Sequence, residues 1–302
     1  MGDHWMKRWI RRVTGIHLGW FDIHRPHRPR IPARYARTPR ASGRLRVSIV
    51  TPVYNQASFI EQTILSVFRQ DYPSLEYIVK DGGSTDGTVE ILARYADRVS
   101  RIESGADGGQ ADAINTGMRF ATGDVLAYLN ADDLLLPGAV HYVTRFFENH
   151  PQIDVAYGHR ILINEHGDEI GRWVLPPHDD RVLSWIDCVP QETMFWRRRI
   201  WEKCAGAVDE TFQFALDWDL LVRFRDAGAH IVRLPRFLGA FRIHPDQKTI
   251  SEMEHIGQKE MERIRLRCLG RIPSTTETIR AVAPYLIKHS LYNRIEQLFR
   301  CY

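Results

Sequence analysis

Two kinds of hydrophobic pattern alternate over residues 45–130. Val47–Val53 is a β-branched run that reads as a strand. Phe59 to Gln70 follows with apolar positions every three or four residues, where Ile60, Ile64, Leu65, Val67 and Phe68 form one helical face. Leu75–Asp81 is again strand-like, and it ends in a turn with glycines at 82, 83 and 87. A second helix follows, with Ser84 or Thr85 as a candidate N-cap. Val125 to Leu129 is a third apolar run, stopped abruptly by Asn130-Ala131-Asp132-Asp133. Strands alternating with amphipathic helices predict an α/β fold around a parallel sheet.

The polar residues that end these runs carry the chemistry. A strand finishing in carboxylates presents them at the carboxyl edge of the sheet, where open α/β folds bind ligands. Asp81 and the pair Asp132-Asp133 are so placed. Adjacent carboxylates suit a hard divalent cation, which in turn can hold a diphosphate. The plain alternative for Asp132 and Asp133 is an acidic first turn of the helix near Pro137.

The motifs also come in a telling order. Pro52-Val53-Tyr54-Asn55 precedes Asp81-Gly82-Gly83-Ser84-Thr85-Asp86-Gly87-Thr88, then Gly108 to Gly117 (GGQADAINTG), then Leu129 to Asp133. Gln191 to Arg198 (QETMFWRR) and Ala215 to Leu220 (ALDWDL) continue it. This order resembles the inverting nucleotide-sugar glycosyltransferases of family 2. The resemblance implies a GT-A-like, Rossmann-type open mixed sheet with helices on both faces. It spans about residues 45 to 250, and its specificity lies in the combination of motifs.

The resemblance also implies roles. Pro52, Tyr54, Asn55, Asp81, Gln110, Asn115, Asn130, Ala131 and Asp132 would meet the nucleotide sugar, with Asp81 accepting from the nucleobase. Asp132, Asp133 and His244 would hold Mg²⁺ or Mn²⁺, with a plain surface-loop histidine the alternative for His244, and Asp217 would be the general base. Gln191, Glu192 and Trp218 would face the acceptor. Asn130 departs from the family's Asp-x-Asp pattern by bringing an amide, so metal ligation should rest on Asp132. Leu216 stands where the family has Glu, and Glu192 is the candidate to take over that role. Asp219 reads as a capping or salt-bridging residue, and Asp86 as part of a helix start. Arg197 to Arg199 read as a solvated helix start, with phosphate contact the alternative.

Composition sets limits. A chain of 302 residues can bury one sizeable core, with 44% hydrophobic and 26% charged residues as in ordinary soluble proteins. It has no apolar run long enough to span a membrane and no evident signal peptide. Cys188, Cys204, Cys268 and Cys301 lack paired spacing and suit a reducing cytosol.

Charge is uneven. Residues 1 to 46 carry 12 Lys or Arg against 2 acids, although the whole chain is only +4, so the remainder is mildly acidic. Trp5, Trp9, Val13, Ile16 and Trp20 recur at helical steps among Lys7, Arg8, Arg11 and Arg12. That pattern suits a helix on an anionic membrane surface, with an arm packed on the body as the alternative. Arg25 to Pro32 reads as an extended proline-rich linker. The expected organisation is an arm and linker (1–44), a catalytic domain (45–250) and a helical extension (251–302).

The expected protein is therefore a cytoplasmic, peripherally membrane-bound glycosyltransferase. It would use a UDP-sugar by preference, act on a glycan or lipid-linked acceptor, and bind no nucleic acid. The competing readings are a catalytically silent assembly factor of the same fold, or a sugar nucleotidyltransferase. Thr51 to Asn55 lacks the glycine- and lysine-rich triphosphate loop that the latter needs.

Overall fold

The computed structural model describes residues 23–245, 247 and 256–299. The proposed amphipathic arm and Cys301 lie outside these residues. Nine strands form one mixed sheet: β1 (Val47–Val53), β2 (Leu75–Asp81), β3 (Arg101–Ser104), β4 (Val125–Tyr128), β5 (Leu134–Leu135), β6 (Val155–Ile163), β7 (Glu169–Trp173), β8 (Phe195–Arg197) and β9 (Ile231–Arg242). Their order is β3-β2-β1-β4-β8-β6-β9-β5, with β7 on β6. β1 to β4 pair in parallel, whereas β8 runs antiparallel to both β4 and β6. β9 is parallel to β6, so it points the same way as β1 and β4.

The period-two alternation explains why these strands are apolar throughout. Ile49, Val79 and Val125 enter one core, while their neighbours Val50, Ile78 and Leu126 enter the core on the opposite face. Helices cover both faces: α1 (Ala33–Ala36), α2 (Ile60–Phe68), α3 (Thr88–Ala93), α4 (Gln110–Phe120), α5 (Ala139–Asn149), α6 (Asp180–Leu183), α7 (Arg198–Lys203), α8 (Leu216–Asp226), α9 (Gln258–Leu269) and α10 (Thr275–Phe299). Ile60, Ile64 and Val67 of α2 are buried as the pattern requires. The helix after β2 starts later than expected, at Thr88, with Gly87 as N-cap at φ +97°. Asp86 there accepts from the Thr88 N–H (3.1 Å) and hydroxyl (2.6 Å).

α4 lies unusually close to the sheet. A Cβ on Gly117 would stand 2.3 Å from Val50 Cγ1. We expect Gly117→Ala to cost about 1–3 kcal/mol by overpacking, read as a lower denaturant midpoint. A midpoint equal to wild type would show that α4 can shift freely.

The proline-rich stretch is extended, but it is docked and not a free linker. His24 N–H donates to Ile170 O (2.7 Å) and Glu169 N–H to His27 O (2.7 Å), extending the edge at β7. Tyr35 is buried, and its hydroxyl accepts from Phe237 N–H (3.1 Å). The C-terminal extension is likewise docked. Glu260 on α9 accepts from the N–H groups of Gln213 (2.7 Å), Phe214 (2.9 Å) and Ala215 (2.8 Å), the residues leading into α8. No described helix is long and apolar enough to cross a membrane.

Candidate active site

The ends of β1, β2, β4 and β9 share one sheet edge, and the site is built there in three parts. The first is a pair of loops after β1 and β2. Asn55 adopts φ +50°, tolerable for an Asn. Its N–H donates to Ser84 Oγ (2.8 Å), while its Oδ1 accepts from Thr85 N–H (2.8 Å). Gln56 N–H reaches Thr88 Oγ1 (3.0 Å), and Ala57 N–H reaches Asp86 Oδ2 (2.9 Å). Burial alone would raise the Asp86 carboxyl, but the Thr88 hydroxyl and these N–H groups hold it below the usual range. Tyr54 projects from this rim, 61% exposed.

Asp81 departs from its expected role. It is fully buried, and its oxygens accept from Gly83 N–H (3.1 Å), Ser84 N–H (3.2 Å) and Ser104 Oγ (2.6 Å). It shapes the glycine-rich turn and has no open face for a nucleobase. Pro52 is buried within β1, two residues beyond the last rung that pairs β1 with β4.

The second part is the turn at 130–133. Thr63 Oγ1 of α2 donates to Ala131 O (2.7 Å) and Asp133 O (2.8 Å), pinning the turn from below. Arg242, at the end of β9, donates from Nε to Asp132 O (2.8 Å) and from its backbone to Asp133 Oδ1 (3.0 Å). His244 then meets the turn: its Nε2 lies 3.1 Å from Asp132 Oδ2. His244 is buried against Phe59, and its Nδ1 has no hydrogen-bond partner among the described residues.

Asp133 is therefore not a second ligand here. It is buried under Arg242, and burial followed by the charge of Asp132 pushes its carboxyl well above the usual range. Ala131 is also buried and contributes its carbonyl to Thr63.

Asn130 belongs to a chain of amides. Gln110 Nε2 donates to Asn130 Oδ1 (2.8 Å), Asn130 Nδ2 to Gln191 Oε1 (3.3 Å), and Gln191 Nε2 to Tyr128 O (2.7 Å). The Tyr128 carbonyl can only accept, so it sets the direction of the whole chain. A carboxylate at 130 would face Gln191 Oε1, which explains locally why an amide is found there.

The third part surrounds Asp217, half-buried in the first turn of α8. Its Oδ1 accepts from Trp218 N–H (2.9 Å). Burial raises its carboxyl, although Trp218 N–H and the nearby Arg160 guanidinium pull the other way. Asp187, missed in the sequence, is solvent-exposed and lies within reach of the Asp217 charge. No local motif marks Asp187, since it lies in an irregular stretch.

The acceptor-side residues differ from expectation. Glu192 is buried and gripped by Arg160 through Nε (2.9 Å) and Nη2 (2.5 Å), so both oxygens are committed. Gln191 is a buried member of the amide chain. Trp218 is fully buried, with its indole N–H on Leu183 O (2.7 Å), and belongs to the core. Asn115 is also structural: it donates to Val208 O (3.0 Å) and accepts from Val208 N–H (2.8 Å). Asp219 salt-bridges as expected, to Arg223 (2.8 Å) and Arg267 (2.6 Å). Arg197 and Arg198 bond backbone carbonyls, and Arg199 pairs with Asp154 (2.7 Å).

The chain is similar to several known proteins. A chondroitin synthase of Pasteurella multocida is 28% identical over 184 residues, covering 60% of this chain and 19% of that protein. The chain thus spans about a fifth of that relative's length. Staphylococcus aureus TarS 1-349, solved in complex with UDP-GlcNAc, superposes with a TM-score of 0.61 at 19% identity over 84% of this chain and 76% of that one. The mannosyltransferase PcManGT from Pyrobaculum calidifontis, solved with GDP-Man and Mn²⁺, gives a TM-score of 0.55 at 19% identity, covering 99% of this chain and 94% of that one. These likenesses establish the GT-A-like α/β fold expected from the sequence. Residues 48–205, just over half of the chain, match the family described as "Glycosyl transferase family 2". The chain belongs to glycosyl transferase family 2.

Proposed function

We propose that the protein transfers a sugar from a nucleoside diphosphate donor to a hydroxyl acceptor, with inversion, in the assembly of a polysaccharide or related glycan. The observation that carries this reading is the meeting of Asp132 Oδ2 and His244 Nε2, 3.1 Å apart, at the sheet edge beside the 54–57 and 82–88 loops. Support also comes from relatives named for polysaccharide synthesis and from neighbours solved with UDP-GlcNAc and GDP-Man. A UDP-sugar is the favoured donor.

Asp132 and His244 fit a divalent cation. Together they offer one carboxylate oxygen and one imidazole nitrogen, a donor set that Mn²⁺ accepts readily and Mg²⁺ accepts through the oxygen. When bound, such a cation would stabilise negative charge on the departing diphosphate.

The chain's own residues do the rest. Asp217 takes the proton from the acceptor hydroxyl as that oxygen attacks the anomeric carbon. The bond to the diphosphate breaks on the opposite face, which inverts the centre. A carboxyl raised by burial is a better base than a free one, and only its ionised form works. Activity should therefore rise with pH through the elevated Asp217 pKa.

The test is hydrolysis and transfer with a panel of UDP-, GDP- and dTDP-sugars, with and without Mn²⁺ or Mg²⁺. We expect one donor class to turn over, and only with the metal. If every donor stays intact, the silent assembly factor takes the place of the enzyme.

A further inference from the structure

We propose that the cavity between α1, α5 and β9 is a second ligand site, and that its ligand is phosphorylated. The cavity measures about 540 Å³, and no residue of the strand-edge site lines it. One wall is a single face of α5, on which Tyr142, Arg145 and Phe146 lie at three- and four-residue steps, continued by His150 just past the helix end. Arg34 on α1 and Arg236 on β9 close the other side.

Its charge is one-sided. Among the described residues, three arginines and a histidine line the cavity, and no aspartate or glutamate does. Arg236 is 7% exposed, yet its bonds go to neutral oxygens, Thr38 Oγ1 (2.8 Å) and Pro137 O (2.9 Å). Its Nε has no hydrogen-bond partner among the described residues. Arg145 is half-buried and has neither a carboxylate nor a hydrogen-bond partner among the described residues.

A buried guanidinium without a counter-charge is costly, and an anion in the cavity would offset that cost. Guanidinium forks match carboxylate and phosphate oxygens alike, and with several arginines around one cavity the more highly charged phosphate is the better match. The cavity is also larger than a bare phosphate requires. The Arg236 guanidinium already lies 4.0 Å from the Tyr35 ring and 4.7 Å from the Tyr142 ring, an arginine–aromatic wall against which a small organic remainder can pack. The same chemistry is offered by a phospholipid headgroup and by a soluble phosphate ester.

The experiment uses the full chain as wild type, Arg145→Glu and Arg145→Lys. Arg145 is chosen because Arg236 also holds α1 in place, so its loss would confuse folding with binding. One arm measures cosedimentation with phosphatidylcholine vesicles containing phosphatidylglycerol, against phosphatidylcholine alone. The other titrates glycerol phosphate in solution. We expect Arg145→Glu to weaken binding about tenfold, the loss typical of one charge-assisted hydrogen bond, and Arg145→Lys to weaken it less. Thermal melting and donor hydrolysis should match wild type in both variants.

A defect confined to vesicles identifies a lipid headgroup, and a defect with glycerol phosphate identifies a soluble ester. Wild-type binding left intact by Arg145→Glu in both arms, or no binding in either, overturns the proposal. Because donor hydrolysis is read separately, failure here leaves the glycosyltransferase reading untouched, and the reverse also holds.

Discussion

Asp217→Asn keeps donor binding and loses turnover by roughly 10²- to 10⁴-fold, the range that a general base contributes. Asn preserves the shape at the start of α8 and can still accept from Trp218 N–H, but it cannot take a proton. The measurement is transfer kinetics beside a nucleoside diphosphate titration on the same preparation. The control is Asp219→Asn, two residues along α8. Asp219 is fully buried and bonds Arg223 and Arg267, so its loss should cost about 1–3 kcal/mol of stability and little turnover. Should Asp219→Asn be the dead enzyme while Asp217→Asn still works, the two roles must be exchanged. The pH profile gives a second reading. Burial raises the Asp217 carboxyl, so the acid limb of kcat should fall above the ordinary aspartate value of about 3.9. An acid limb at or below that value would point to a different base.

Asp132→Ala should be the other severe variant, with loss of metal-dependent nucleoside diphosphate affinity and a fall in activity of roughly 10³-fold or more. That fall corresponds to the several kcal/mol that a Lewis acid supplies at a leaving phosphate. The fold should survive, because Arg242 and Thr63 hold the turn through backbone carbonyls that Ala retains. His244→Ala should weaken metal dependence in the same direction, since its Nε2 meets the Asp132 carboxylate. The check is affinity for UDP and GDP in Mn²⁺ and in EDTA. Equal wild-type affinity in both would remove the cation from the site.

Asp133→Ala gives the contrast between the neighbouring carboxylates. Asp133 faces the Arg242 backbone inside the protein, so its replacement should act on stability before it acts on the metal.

Much of this protein was legible locally. The runs ending in Asp81 and in Asn130 to Asp132, the apolar face of α2 and the salt-bridging Asp219 were all read from periodicity and residue type. Each depends on neighbours a few positions away, and such order survives in a linear string.

What the string could not show was where the polar side chains turn. Asp81, Asn115, Glu192 and Trp218 sit in functional motifs yet point into the protein, because each has a partner there: a loop backbone, Val208, Arg160 and Leu183. A buried polar group left without a partner is costly, so the packing chose between a ligand and a structural bond.

Distance in sequence hid the remainder. His244 reaches Asp132 across 112 positions only because β8 inserts antiparallel and lets β9 run parallel to β4. Glu260 steadies the approach to Asp217 from a segment that the sequence showed only as helical. Strand-end chemistry was thus determined by local sequence, whereas the identity of the groups that meet there was decided by the crossing of the sheet, which places residues beside one another that no local pattern relates.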